Sequence, residues 1–138
     1  MEPEDVVHVL RRFREALDPG GLMLDLQVIR PDPVVEVGGE DVCEIDGGPL
    51  FATADPAAAA VDELVASGLL VEEAAHDHDV RKHYASGAEL VEDFESSRRD
   101  LPAEWIPRLT ALEEPCAVRE RCRTRRLRVP AYPSTSSR

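Results

Sequence analysis

Four consecutive residues, His76-Asp77-His78-Asp79, carry the densest chemistry in the sequence. On an extended chain His76 and His78 share one face about 6–7 Å apart, a separation at which two imidazoles can hold one metal ion. Asp77 and Asp79 then face the other way, and His83 falls out of phase. A metal site needs a third ligand, and no partner motif supplies one. The tetrad therefore reads as a solvated polar strand, and no metal ligand is assigned. His8 lies beside an apolar stripe and reads as a partly buried histidine rather than a catalytic base. Glu72, Glu73, Glu92, Asp93 and Glu95 are carboxylates of the kind that work in acid–base pairs. No pair among them has a distinguishing context, so they read as solvated faces. The sequence contains no G-x-S-x-G elbow and no P-loop. Trp105 reads as a core anchor. No catalytic residue is assigned.

The cysteines are Cys43, Cys116 and Cys122. An odd count at wide spacing argues against a disulfide framework. On a strand Cys116 and Cys122 share a face but lie about 20 Å apart, too far to bridge. The longest apolar runs fall short of the roughly 18 residues that span a membrane. These features place the chain in the cytoplasm, with no membrane partner.

Charge adds a second exclusion. The 138 residues carry 16 basic and 28 acidic side chains, a net of −12. Such a balance argues against general binding to nucleic acid. The distribution is uneven: Cys116–Arg138 holds seven Arg and one acid, Glu120, so the preceding residues are strongly acidic. No aromatic residues interleave with these arginines as stacking platforms. The cationic segment reads as a strand that pairs internally with the acidic body.

The elements that position these groups follow from periodicity and punctuation. Val6, Val9, Leu10, Phe13 and Leu17 mark an amphipathic helix over 4–17. Asp18-Pro19-Gly20-Gly21 stops it. Leu22–Ile29 is apolar at six of eight positions and reads as a strand buried on much of both faces. Arg30-Pro31-Asp32-Pro33 is a break, and a hairpin follows over 34–45 around Gly38-Gly39. Asp55-Pro56 is a helix start, with Val61, Leu64 and Val65 inward and Ser67-Gly68 at its end. An outer strand runs from Leu69 to Val80 or Tyr84. Ser86 and Glu89 have capping-box spacing for a helix carrying Leu90, Val91 and Phe94. A helical segment over 102–113 turns Trp105, Ile106, Leu109 and Leu112 inward. A strand over 117–129 sets Val118, Glu120, Cys122 and Thr124 against Arg119, Arg121, Arg123 and Arg125. Residues 130–138 are a polar, disordered tail. This order predicts an α/β (or α+β) fold: a mixed, partly antiparallel sheet of four to six strands with helices packed on it, in a single domain over 1–129.

The stretch from Glu4 to Leu24, with Leu17-Asp18-Pro19-Gly20-Gly21 at its centre, resembles class I S-adenosylmethionine-dependent methyltransferases. In that family a helix ending in such a turn precedes the fifth strand. The later elements keep the family's order through a sixth strand and an antiparallel seventh strand. The resemblance implies a truncated Rossmann-like fold over roughly 4–129, with the hairpin 34–45 as an insertion. The family holds its cofactor in its first half, through a glycine-rich loop after the first strand and an acid at the end of the second. Here no two glycines are spaced as G-x-G, and Gly20-Gly21 precedes a strand. No cofactor-binding residue carries over. The implication is a methyltransferase-like domain or fragment that binds no cofactor alone. It would be the substrate-side part of an S-adenosylmethionine enzyme only if a missing N-terminal half or partner chain is supplied.

Two other functions stand beside that one: a non-catalytic oligomerisation or protein-binding module, and a small-ligand-binding protein. In the family the fifth strand lies between the fourth and seventh. Without the fourth, Leu22–Ile29 has a bare apolar edge, and such edges pair with something. A homodimer across this edge, docking of a partner protein, and covering by the hairpin 34–45 are the three candidates.

Overall fold

The computed structural model describes residues 18–97 and 99–131, together with His8 and Arg12. Of the helix expected over 4–17, only His8 and Arg12 fall among these; both are helical and exposed, so His8 is not the partly buried residue expected. The expected tail lies outside the described residues apart from Pro130 and Ala131.

The chain runs β1 (Leu22–Val37), β2 (Glu40–Glu44), α1 (Gly48–Ala66), β3 (Val71–Tyr84), α2 (Gly87–Phe94), a 3-10 turn (Ala103–Trp105), α3 (Ile106–Thr110) and β4 (Cys116–Arg128). The strands form one open antiparallel sheet in the order β2-β1-β4-β3. The class is α/β, with four strands, and neighbours are antiparallel throughout rather than mixed in direction. β3 is an outer strand, as its polar middle implies.

Several boundaries follow from local chemistry. Gly21 N–H donates to the Asp18 carbonyl at 2.7 Å, closing a turn in which Gly20 takes φ +82°. That is the type II position only glycine occupies without strain. Gly38 and Gly39, both at positive φ, form a two-residue hairpin turn between Val37 and Glu40. The register slips between Val35 and Glu36, where Val42 is the extra residue. Ser86 Oγ accepts from Glu89 N–H at 3.2 Å and caps α2, while the Glu89 carboxylate accepts from Ala85 N–H at 2.8 Å.

Three expectations are corrected. Arg30-Pro31-Asp32-Pro33 does not break the chain; β1 continues through it. Both prolines precede the pairing with β2, which begins at Val34, and the Pro33 carbonyl still accepts from Ile45 N–H at 2.8 Å. The first helix after the hairpin starts at Gly48 rather than Asp55. Asp46 Oδ1 accepts from Gly48 N–H at 2.9 Å, and Pro49 suits the first turn. Pro56 then lies inside α1, where it leaves the Ala52 carbonyl without its helical donor; Ala52 is exposed, so water can serve it. The segment over 102–113 is a 3-10 turn followed by the short α3, and Ile106 is exposed rather than inward. Leu109 is buried there, and Trp105 and Leu112 are half-buried.

The chain divides into two compact units. The first comprises Met1–Gln27, Ala52–Asp77 and Arg123–Arg138; the second comprises Val28–Phe51 and His78–Cys122. In the first, Val61 and Leu64 of α1 bury themselves with Leu70, Leu127 and Val129, and Met23 packs against them. In the second, Leu90 and Phe94 of α2 and Leu109 of α3 pack with Val35, Ile45, Tyr84 and Val118. Apolar burial of this kind is the main force holding each unit together.

Candidate functional site

The first unit leaves an apolar stripe facing water. Leu22, Leu24 and Leu26 are 43%, 67% and 60% exposed. The side chains between them point inward: Met23 packs against the core and Asp25 is 8% exposed. The strand expected to be buried on much of both faces is thus buried on one, and its acid takes the inner side. The cause is phase. A strand's side chains alternate with a period of two, so seating Met23 in the core turns all three leucines outward.

The backbone of this segment is also open on one side. β1 pairs with β2 only over Val34–Val37. The hairpin therefore does not cover Leu22–Gln27. Among the described residues, no strand lies against that segment on the side away from β4. Exposed apolar edges of this kind are templates for pairing.

Asp25 is a residue the sequence did not single out. Its Oδ1 accepts from Gln27 Nε2 at 2.8 Å, and its buried Oδ2 has no hydrogen-bond partner. A buried oxygen left in this way is costly.

The arginines of β4 are occupied, as the internal-pairing reading expects. In the first unit Arg123 binds Asp77 through Nε at 2.7 Å and Nη2 at 3.0 Å. Arg125 reaches Glu72 at 2.6 Å and Asp62 at 2.8 Å. Arg126 and Arg128 share Glu73. In the second unit Arg119 binds Asp41 and Glu36, Arg121 binds Asp79, and Arg81 joins Arg119 on Glu36. From Arg121–Asp79 through Arg123–Asp77 to Arg128–Glu73 the partner number on β3 falls as that on β4 rises, the signature of antiparallel strands. Hydrogen bonds from Arg81, and then from Arg119, hold the Glu36 carboxyl below its ordinary range against the opposing effect of burial. Arg128 does the same for Glu73. Arg125 departs from the expected outward row: it is buried. Desolvation opposes its charge, and the bonds to Glu72 and Asp62 outweigh it, so its pKa is raised.

These pairs define what became of the histidine tetrad. Asp77 and Asp79 face the arginines, as the alternation requires. His76 lines an open cleft of about 580 Å³ in the first unit, with Asp62, Glu72, Asp77, Arg123 and Arg125. His78 belongs to the second unit. Among the described residues, no three His, Cys, Asp or Glu side chains are grouped to hold a metal ion. The cleft's arginines are bound to its carboxylates, so its charges are largely satisfied from within.

No protein-family model, curated protein or solved structure matches this chain.

The second unit holds a polar cluster at the margin of its core. Tyr84 is buried, and its Oη donates to Asp93 Oδ2 at 2.6 Å. Lys82 reaches the same oxygen at 3.1 Å. Burial, followed by that hydrogen bond, pushes the Tyr84 phenol up, while Tyr84 and Lys82 draw the Asp93 carboxyl down. Glu72 and Glu73 are exposed and Asp93 is half-buried, and each also bonds a neighbouring side chain. His83 is exposed beside this cluster, in an open cleft of about 490 Å³ with Lys82, Glu89 and Glu92. Cys43, Cys116 and Cys122 are free thiols, and burial raises the pKa of each. Such thiols are poor nucleophiles. Trp105 packs against the second core half-buried, with the Arg108 guanidinium 4.9 Å from its ring centre. No helix among the described residues is long and apolar enough to cross a membrane.

Proposed function

We propose that the chain is a protein-association domain that works by adding a strand of another polypeptide to the open side of β1. The observation that carries this is the exposure of Leu22, Leu24 and Leu26 on a segment with no strand beside it among the described residues. Main-chain hydrogen bonds would give affinity, and the leucines would give specificity through alternate side chains. The clefts favour this reading over a small-ligand protein. The clefts at His76 and His83 are open and polar, and the arginines of the first are already paired with its carboxylates, whereas ligand sites are concave and mainly apolar.

The strand arrangement supports a methyltransferase-like ancestry for the domain. The resemblance sets the last strand antiparallel and next to the strand after the glycine turn. Here Gly20 N–H donates to the Val129 carbonyl at 2.8 Å and Val129 N–H donates to Gly21 at 2.9 Å, at the start of that antiparallel pair. On this view a chain docked at β1 would stand where the fourth strand stands in the family. Only a separate chain carrying the family's first half would also bring the S-adenosylmethionine grip; a second copy of this chain would not.

Two measurements test the proposal. A labelled extended peptide alternating leucine with polar residues, flanked by lysines for solubility, should bind the intact chain. Leu24→Pro removes an outward N–H and should weaken binding about tenfold or more. Absence of peptide binding to the unaltered chain, together with a single-chain mass at all concentrations, overturns the association reading. Calorimetry with S-adenosylmethionine should give no binding heat on the chain alone; micromolar binding overturns the missing-grip part.

A further inference from the structure

The open side of β1 has a defined hydrogen-bonding phase. In an antiparallel strand the N–H and C=O of one residue point to the same side, and successive residues alternate. The Gly21 carbonyl points to β4, where it accepts from Val129 N–H. Met23, Asp25 and Gln27 therefore turn their backbone groups toward β4, and Leu22, Leu24 and Leu26 turn theirs to the open side. The residues with outward backbone groups are the same three whose side chains are exposed.

We infer that the partner is a second copy of this chain, joined antiparallel through a two-fold axis at Leu24. The inference rests on the association reading and names the occupant of that surface. In this register Leu24 faces Leu24, and each Leu22 faces a Leu26. All three pairs are of the kind that exchange both hydrogen bonds, about six bonds in total. The leucines of both copies fall on one face, so the stripe closes on itself, as a symmetric interface requires. The single charge between Leu22 and Ile29, Asp25, points inward and opposes Met23 of the other copy. A two-fold axis at Asp25 would set two acids opposite each other, and one at Met23 would leave Leu26 facing Gly20. Nothing in Leu22–Ile29 guards the edge: it holds no Lys, Arg or Pro, the residues that usually blunt one. The segment offers an uncharged surface that needs no partner of opposite charge.

Analytical ultracentrifugation of the full chain should give twice the single-chain mass of 15.2 kDa. The net −12 of each copy predicts tighter association at higher salt, because screening relieves like-charge repulsion. Leu24→Glu, at an exposed position, should return the mass to one chain while the circular dichroism spectrum is unchanged. Leu24→Cys should oxidise to a covalent dimer, since paired Cα atoms lie about 5.5 Å apart, within disulfide range. Met23→Cys should not, and the unaltered chain reports any crosslinking by its own cysteines. A monomer at all concentrations overturns the inference, as does a dimer in which Leu24→Cys fails to crosslink. A monomer that dimerises only when residues 2–17 are removed also overturns it, and assigns the surface to that segment. Peptide binding by a monomer would leave the association reading standing while this inference falls.

Discussion

The second unit buries the rings of Phe51, Tyr84 and Phe94; the core cluster of the first is aliphatic, built on Val61, Leu64, Leu70, Leu127 and Val129. The two also differ in how they treat polar groups. In the second, the buried Tyr84 hydroxyl has its acceptor in Asp93, and Arg99 has Glu120. In the first, Asp25 keeps a buried oxygen without a partner, and three leucines on the same strand face water. The second unit is satisfied by its own residues, whereas the first carries both an apolar surplus and a polar deficit on one six-residue segment. The proposed association surface rests on that contrast rather than on any titratable residue.

The contrast can be broken at its tightest point first. A Cβ on Gly87 would lie 2.0 Å from the Leu109 carbonyl oxygen, which is backbone and cannot swing away. Gly87→Ala should therefore destabilise the protein by about 3 kcal/mol or more, read as a midpoint shift in urea. Leu64→Ala opens a cavity in the aliphatic core and should cost about 2–3 kcal/mol. A negligible change would mean that the first unit is too loosely packed to count as a core.

Two smaller changes should move stability in opposite directions. Tyr84→Phe removes a satisfied hydrogen bond in the second unit and should cost about 1 kcal/mol. Asp25→Leu removes the carboxylate together with its unpartnered oxygen and should raise stability by about 1 kcal/mol. If thermal melts show Asp25→Leu to be destabilising, Asp25 is bonded in solution and the polar deficit disappears. The smallest effect is a pH slope. The Glu36 carboxyl is held below the ordinary value of 4.5, so its contribution is complete above that pH. It fades as the pH falls through 4.5 toward the lower folded-state value. Glu36→Gln should flatten the acid limb of a stability–pH profile; an unchanged limb would mean that Arg81 and Arg119 do not stabilise the charged form.

Local chemistry determined much of this protein. The Gly38-Gly39 turn, the Gly68 helix end, the Ser86 cap and the β4 alternation from Val118 to Arg123 each depend on a few neighbouring residues, and each stands where the sequence puts it. Tertiary structure decided what neighbours could not. Gly48-Pro49 and Asp55-Pro56 are both helix starts by local rules, and burial of Phe51 and Ala54 selects the earlier one. Leu22–Ile29 is so apolar that its pattern carries no phase; packing of Met23 chose the face and left the leucines outside. Arg125 sits in a row of alternating arginines, yet only the fold brings Glu72 and Asp62 to it and lets it be buried. The histidine tetrad drew attention because its spacing is legible, and its acids proved to be partners of arginines some forty residues away. Spacing along a strand is a short-range property, while ion pairs and strand phase depend on segments that meet only after the chain has folded.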